Sequence, residues 1–317
     1  MLKQRVITAL ALLAVLLPAL FYPQPVFFDA VMLVMMVAAA WEWWRLNSPT
    51  STSTNTSTNT NTSTNPTHPL NHPLAITAFS VTAWLGALLC AAGCLAIWAA
   101  GGLERPLSDL RWWWTGAGVF WVVASVFLLA QGVSVWLAIH PWLRLALGWL
   151  ALLTAWWAVA QARGIGIEFL LSVLTLVWMA DIAAYFFGRA LGGRMIQRKL
   201  AVRISPGKSW EGALGGLFGV ILMAVVLAHF DSGMAPHSLY GRLTLAGWPF
   251  ALISVLFLGV MSVAGDLVES LIKRAVGVKD SSGLLPGHGG VLDRIDALLP
   301  VLPLSMMLAA WVSPLAA

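Results

Sequence analysis

Apolar residues run along this chain in long blocks separated by short polar stretches. Nine blocks, near 5–22, 26–44, 75–100, 113–132, 143–162, 166–188, 211–230, 247–268 and 297–315, approach the roughly 20 residues a helix needs to cross a bilayer core. A helix satisfies its backbone hydrogen bonds within one segment, so blocks of this length predict helices and not strands. The expected fold is an all-α integral membrane protein, a polytopic bundle of about nine transmembrane helices. The limits of the fourth and fifth spans are the softest, because "GVSVWLAIHPW" between them is itself apolar.

The polar interruptions divide the chain. Residues 1–46 hold two spans. Residues 47–73, "NSPTSTSTNTSTNTNTSTNPTHPLNHP", have no charge and no apolar periodicity, and are expected to form a flexible cytoplasmic loop. Asn55 and Asn61 head N-x-S sequons that such a loop leaves unglycosylated, and His68 and His72 are expected to be ordinary loop residues. Residues 74–164 hold three further spans. Residues 165–317 form a C-terminal membrane domain whose segments 189–210 and 270–296 are polar.

Composition agrees with the pattern. Charged residues make up 10% of the chain and mean hydropathy is +0.83, against about 25% charge in a soluble domain. Lys3 and Arg5 precede the first span, but no small-residue cleavage site follows it, so it is expected to stay as an anchor. Basic residues gather in alternate loops: Lys3, Arg5 and Arg45, the segment 189–208, and Lys273, Arg274, Lys279 and Arg294. The positive-inside rule puts these, and the N-terminus, in the cytoplasm. Topology thus accounts for the net charge of +5, and no nucleic-acid partner is expected.

Trp41, Trp43, Trp44, Trp112, Trp113 and Trp114 lie near span ends and predict an interfacial belt. Cys90 and Cys94, one helical turn apart with no histidine beside them, predict packing and not a metal or redox site. "EGALGGLFG" spaces Gly212 from Gly216 and Gly215 from Gly219 by four residues. That suits close helix packing, within one chain or in a homodimer.

Charge gives the chemistry its place. Segments 181–212 and 266–296 carry more than half of the chain's charged side chains. "GDLVESLIKR" puts Asp266, Glu269, Ser270 and Lys273 on one helix face. An acid at the end of a span is costly against lipid, so a polar cavity or a buried ion pair with Lys273 is expected. In "LLPGHGGVLDRID", glycines allow backbone amides to approach phosphate. Asp293 and Asp296, with Asp266, offer oxygens of the kind Mg²⁺ takes beside substrate phosphate, although Asp293 alone also suits a helix cap. "RISPGKSWEG" suggests a helix start with Ser205 at the N-cap and Pro206 at the first position, an anion site flanked by Lys208 and Ser209. Asp181 lies inside the sixth span with Arg189 two turns on, either as a functional acid or as a structural partner of that arginine. Such groups at the ends of membrane helices suit the joining of a polyphosphate from water to a lipid.

The run "SLIKRAVGVKDSSGLLPGHGGVLDRID", Ser270 to Asp296, resembles the signature of the phosphatidate cytidylyltransferases, the CDP-diacylglycerol synthases. "DIAAYFFGR" and "SPGKSWEG" resemble upstream blocks of that family. The resemblance covers residues 166–315 and reaches the N-terminal half through its spans and "AAWEWW". It departs at Ala297, where a serine often follows the last aspartate, and in the Ser/Thr/Asn-rich insert. It implies a Mg²⁺-dependent reaction of CTP with phosphatidic acid, giving CDP-diacylglycerol and pyrophosphate, in a bacterial inner membrane with the active site at the cytoplasmic face. Asp266, Asp293, Asp296 and Asp181 would then hold metal. Lys208, Lys273, Arg274, Lys279 and Arg294 would neutralise CTP and phosphatidate, with Arg189, Ser205 and Ser209 beside them. Gly289 and Gly290 would offer backbone donors, and His288 would contact phosphate or order its loop. Two alternatives fit the same charges: a CTP-dependent lipid kinase of the polyprenol type, and a transporter of phosphorylated metabolites.

Overall fold

The computed structural model describes residues 2–48, 81–196, 199–231 and 236–313, with side chains from residue 4. The expected loop starts at residue 47, but Asn47 ends α2 and Ser48 is its C-cap, both buried. The rest of that loop, 49–73, with its sequons and His68 and His72, lies outside the described residues, as do the first residues of the third span and the last of the ninth. Twelve helices are seen among those described: α1 (Leu2–Phe21), α2 (Val26–Asn47), α3 (Val81–Ala99), α4 (Arg111–Gln131), α5 (Val133–Ala138), α6 (Pro141–Ile165), α7 (Ile167–Leu191), α8 (Trp210–Phe230), α9 (Leu239–Thr244), α10 (Trp248–Ala275), α11 (Leu292–Ile295) and α12 (Leu298–Val312). Nine segments among the described residues are long and apolar enough to span a membrane, α11 and α12 counting as one. The ambiguous apolar stretch after α4 forms the short helix α5.

Burial orders the bundle. α6 and α12 are the most enclosed, whereas α1 leaves Ile7, Leu10 and Leu13 exposed and stands at the rim. α7 and α8 share the largest interface, and the glycine spacing accounts for it. A Cβ on Gly216 would meet the Ala180 carbonyl at 2.8 Å, and one on Gly212 the Ala184 carbonyl at 3.0 Å. The outer face of α8 presents Leu214, Phe218 and Leu222, as a lipid-facing surface should.

The tryptophans correct one expectation. Trp112 and Trp113 are exposed, in keeping with an interfacial belt, but Trp43, Trp44 and Trp114 are buried. A buried indole N–H seeks an acceptor: Trp43 Nε1 donates to the Arg144 carbonyl at 3.1 Å and Trp136 Nε1 to Asn47 Oδ1 at 2.8 Å. These rings tie α2 to α5 and α6. Cys90 and Cys94 are free thiols, both fully buried in the core.

Helix α10 runs seven residues past the expected 268. Lys273 and Arg274 in its last turn suit the helix dipole. It ends in a Schellman closure, with Val278 N donating to the Lys273 carbonyl and Gly277 N to that of Arg274, and Gly277 at φ +77°. The overshoot keeps Asp266, Glu269, Ser270 and Lys273 on one continuous helix.

At the opposite end, Asp231 closes α8. Its carboxylate accepts bonds from His237 N at 3.1 Å, Ser238 N at 2.7 Å and Ser238 Oγ at 2.5 Å. Burial opposes the charge, but the bonds from Ser238 and His237 outweigh it and hold the carboxyl below its usual pKa. A depressed folded-state pKa stabilises the fold above the unfolded value, near pH 3.9, and the benefit fades as pH falls through the lower folded value. Asp231→Asn is therefore expected to lower the melting temperature in detergent at pH 7, with the difference from the parent shrinking as pH falls below the unfolded value and vanishing below the folded one. A melting series against pH checks this.

Candidate active site

The polar ends of α7, α8 and α10 enclose a cleft of about 420 Å³. Asp181, Tyr185 and Arg189 line it from α7, Asp266 from α10, and Lys208 and Ser209 from the segment entering α8. Its wall is of small residues, Ala180, Ala184, Gly188 and Gly212, so backbone rather than bulk borders the space. Asp181 lies ten residues before the end of α7 and Asp266 nine before the end of α10. At 1.5 Å per residue both acids sit about 13–15 Å inward from those helix ends.

Acids at that depth need partners. Lys208 Nζ bonds Asp266 Oδ2 at 2.5 Å, and Ser270 Oγ donates to Asp266 Oδ1 at 3.3 Å. Asp181 feels the charges of Asp266, Lys208 and Arg294, and Asp296 those of Asp266 and Asp181. The three aspartates form one electrostatic group. Asp296 also borders an apolar crevice on the other side of α10, lined by Trp121, Trp136, Ala151 and Leu152. Arg189 does not pair with Asp181; its Nη1 donates to Tyr185 Oη at 2.9 Å.

Segment 201–209 departs from expectation. Helix α8 begins at Trp210, and Ser209 is its N-cap, its Oγ accepting from Gly212 N at 3.1 Å. Ser205 instead bonds Ala201 in a tight turn, and its carbonyl accepts from Lys208 N. The proline and glycine that follow Ser205 favour this turn, which delivers Lys208 to the cleft. Glu211 Oε1 accepts from the amides of Gly193, Met195 and Ile196, tying the end of α7 to the start of α8.

The signature forms a second layer. Lys273 is buried between Glu269 Oε2 at 2.5 Å and Asp293 Oδ1 at 2.6 Å. Asp293 also accepts from Ser281 N, Ser281 Oγ and Gly290 N. Both its oxygens are thus engaged, and in this arrangement Asp293 organises the loop. Lys273, expected at substrate, is enclosed by the two carboxylates. The amide of Gly290, expected at phosphate, faces Asp293. Its missing side chain is required because a Cβ there would overlap Ser281 Oγ. Gly287 and Gly289 have φ of +76° and +82°, so the turn between Leu285 and Gly289 needs glycine at both.

The other expected site residues stand outside the cleft lining. Arg274 donates to the carbonyls of Ile204 and Val278. Lys279 is exposed on the loop. His288 N bonds the Leu285 carbonyl, and its buried Nδ1 has no hydrogen-bond partner.

Glu42 was missed by sequence reasoning. Fully buried in α2, it accepts from Ser282 Oγ at 2.5 Å and Val291 N at 2.9 Å on Oε1. On Oε2 it accepts from Ser281 Oγ at 3.0 Å and Leu292 N at 2.7 Å. Arg45, one turn on, donates to the Ser281 carbonyl. An acid inside an apolar span was the available signal.

Comparison with known proteins places the chain in a family. The model of the "Cytidylyltransferase family" matches residues 3–312. A phosphatidate cytidylyltransferase of Pseudomonas aeruginosa is 34% identical over 319 residues, 99% of this chain and 100% of the relative. That of Haemophilus influenzae is 34% identical over 320 residues, covering 96% of each. That of Brucella suis is 42% identical over 145 residues, 46% of this chain and 48% of its own. With a match across nearly the whole chain and two relatives covered almost end to end, this protein belongs to the cytidylyltransferase family.

Proposed function

We propose that this protein is a phosphatidate cytidylyltransferase: it joins CTP to phosphatidic acid and releases pyrophosphate. The observation that carries the reading is the cleft, where Lys208 and Arg189 stand beside Asp181 and Asp266 deep in a helical membrane protein. The full-length relatives named for that activity support it. A phosphatidate phosphate oxygen bonds to the α-phosphorus of CTP. The bond from that phosphorus to the bridging oxygen breaks, and pyrophosphate leaves with the electron pair. No protein nucleophile is required, so the chain's part is to position and to neutralise charge. Lys208, Arg189 and Arg294 offset phosphate charge, and Ser209 caps α8 at the cleft wall by accepting from Gly212 N.

Among the described residues no three acids, cysteines or histidines stand close enough to enclose a metal ion alone. Mg²⁺ does not require such a cluster, because it takes one or two carboxylates and completes its shell with water and substrate phosphate. Asp266 and Asp296, with Asp181 nearby, are the carboxylates to hold it. Once bound, Mg²⁺ would offset the charge of the triphosphate and of the leaving pyrophosphate. The basic loops support a cytoplasmic orientation for the cleft and the N-terminus, in a bacterial inner membrane.

The test uses purified protein in mixed micelles with phosphatidate, α-labelled CTP and Mg²⁺. Label is expected in the lipid phase with pyrophosphate release, and EDTA is expected to stop both. Labelled CDP released to water with phosphorylated lipid would indicate a kinase, and folded protein without lipid labelling would overturn the reading.

A further inference from the structure

We propose that Glu42 is a positioning residue for the reaction, acting through residues 290–296 to set Asp296 against Asp266. The proposal rests on reading the cleft as the site of cytidylyl transfer. Helix α11 has no side-chain cap of its own: Val291 occupies the N-cap position and makes no such bond. The first amides of a helix lack partners within it, and here those of Val291 and Leu292 are capped from another helix, by Glu42. The same carboxylate takes the hydroxyls of Ser281 and Ser282. An ionised carboxylate has about four lone-pair sites. Three are filled by Ser282 Oγ, Val291 N and Leu292 N, and the fourth competes with Asp293, because Ser281 Oγ stands 3.0 Å from both carboxylates and carries one proton.

The direction of control follows from the chain. Asp296 lies four residues after Leu292, about one helical turn on. A shift of the capped amides therefore moves Asp296 with them. Gly290 lets Glu42 and Ser281 close on the backbone, since a Cβ there would strike both. Arg45 holds the Ser281 carbonyl, and Thr8 of α1 donates to the Pro286 carbonyl at 2.9 Å. The N-terminal helices thus grip the loop at several points, and among their described contacts Glu42 is the one that touches both of its ends. Glutamine cannot replace it. One oxygen would become an NH₂ group, placing a donor against the N–H of Val291 or Leu292.

The experiment compares kcat and KM for CTP and phosphatidate in Glu42→Gln, Ser282→Ala and the double variant, with melting curves in detergent. Glu42→Gln is expected to lower kcat by about 10–100-fold, the usual effect of losing an outer-shell partner, with KM for CTP within about twofold. Ser282→Ala is expected to lose a few-fold, and the double variant no more than Glu42→Gln alone, because both act through one set of bonds. Folded Glu42→Gln with wild-type kcat would overturn the proposal, as would losses that multiply in the double variant. Should Glu42→Gln fail to fold, Ser282→Ala decides alone: lower kcat at an unchanged melting temperature supports the role, and wild-type kcat ends it. A wild-type chain without cytidylyl transfer would remove the functional reading, whereas an active wild type with an equally active Glu42→Gln removes only the positioning role.

Discussion

Asp296→Asn is expected to lower kcat by about 10²–10³-fold, the size of effect seen when one preorganised electrostatic contact is lost. The substitution keeps the shape of the side chain and the oxygen that accepts the Ala297 amide at 2.7 Å. What it removes is the carboxylate, and with it one of the two groups proposed to hold Mg²⁺. The fold has little reason to suffer, since three acids in one electrostatic neighbourhood repel one another and losing one relieves that repulsion. Turnover in mixed micelles, set beside a detergent melting curve, separates the two effects. Near-normal turnover in folded protein would remove Asp296 from the proposed metal-binding pair.

Lys273→Met should show the opposite balance. Its ammonium sits between two buried carboxylates, and Glu269 Oε1 has no hydrogen-bond partner. Breaking a buried pair by removing one partner typically costs about 3–5 kcal/mol, because a charge is left without compensation. A large drop in melting temperature is therefore expected, with activity lost as a consequence. Adding Glu269→Gln should recover part of that stability, since the charge left behind is then neutral. Asp293 keeps the amides of Ser281 and Gly290 in either case. If Lys273→Met melts like the parent but fails to bind CTP, the lysine faces substrate after all.

The sequence made α10 legible because helical period alone brings Asp266, Glu269, Ser270 and Lys273 together, and the structure keeps them on one face. Which acid pairs with which cation was not legible. Lys208 is 58 residues from Asp266 along the chain, and only the turn at 201–208 brings it there. The helix start in "RISPGKSWEG" was misplaced by four residues because Ser205 and Ser209 both offer a capping hydroxyl. The choice depended on a turn that local preference does not decide. The glycines were read as a phosphate cradle, yet Gly290 serves to admit Glu42 and Ser281. Glu42 carried a local signal, an acid in an apolar span, but its partners lie some 240 to 250 positions away.

That separation has a consequence for how the protein is made. Glu42 enters the membrane among the first helices to be synthesised, while Val291 and Leu292 belong to the last span. Until the ribosome has delivered that span, Glu42 stands in α2 without the amides of Val291 and Leu292, and the segment that carries Asp296 does not yet exist. Closing contacts of such long range comes late in folding, after the entropy of the intervening chain has been overcome. A nascent chain therefore cannot act on lipid while its later helices are still being inserted. If Glu42 positions Asp296 as proposed, activity arises only once the span that carries Val291 and Leu292 has joined α2.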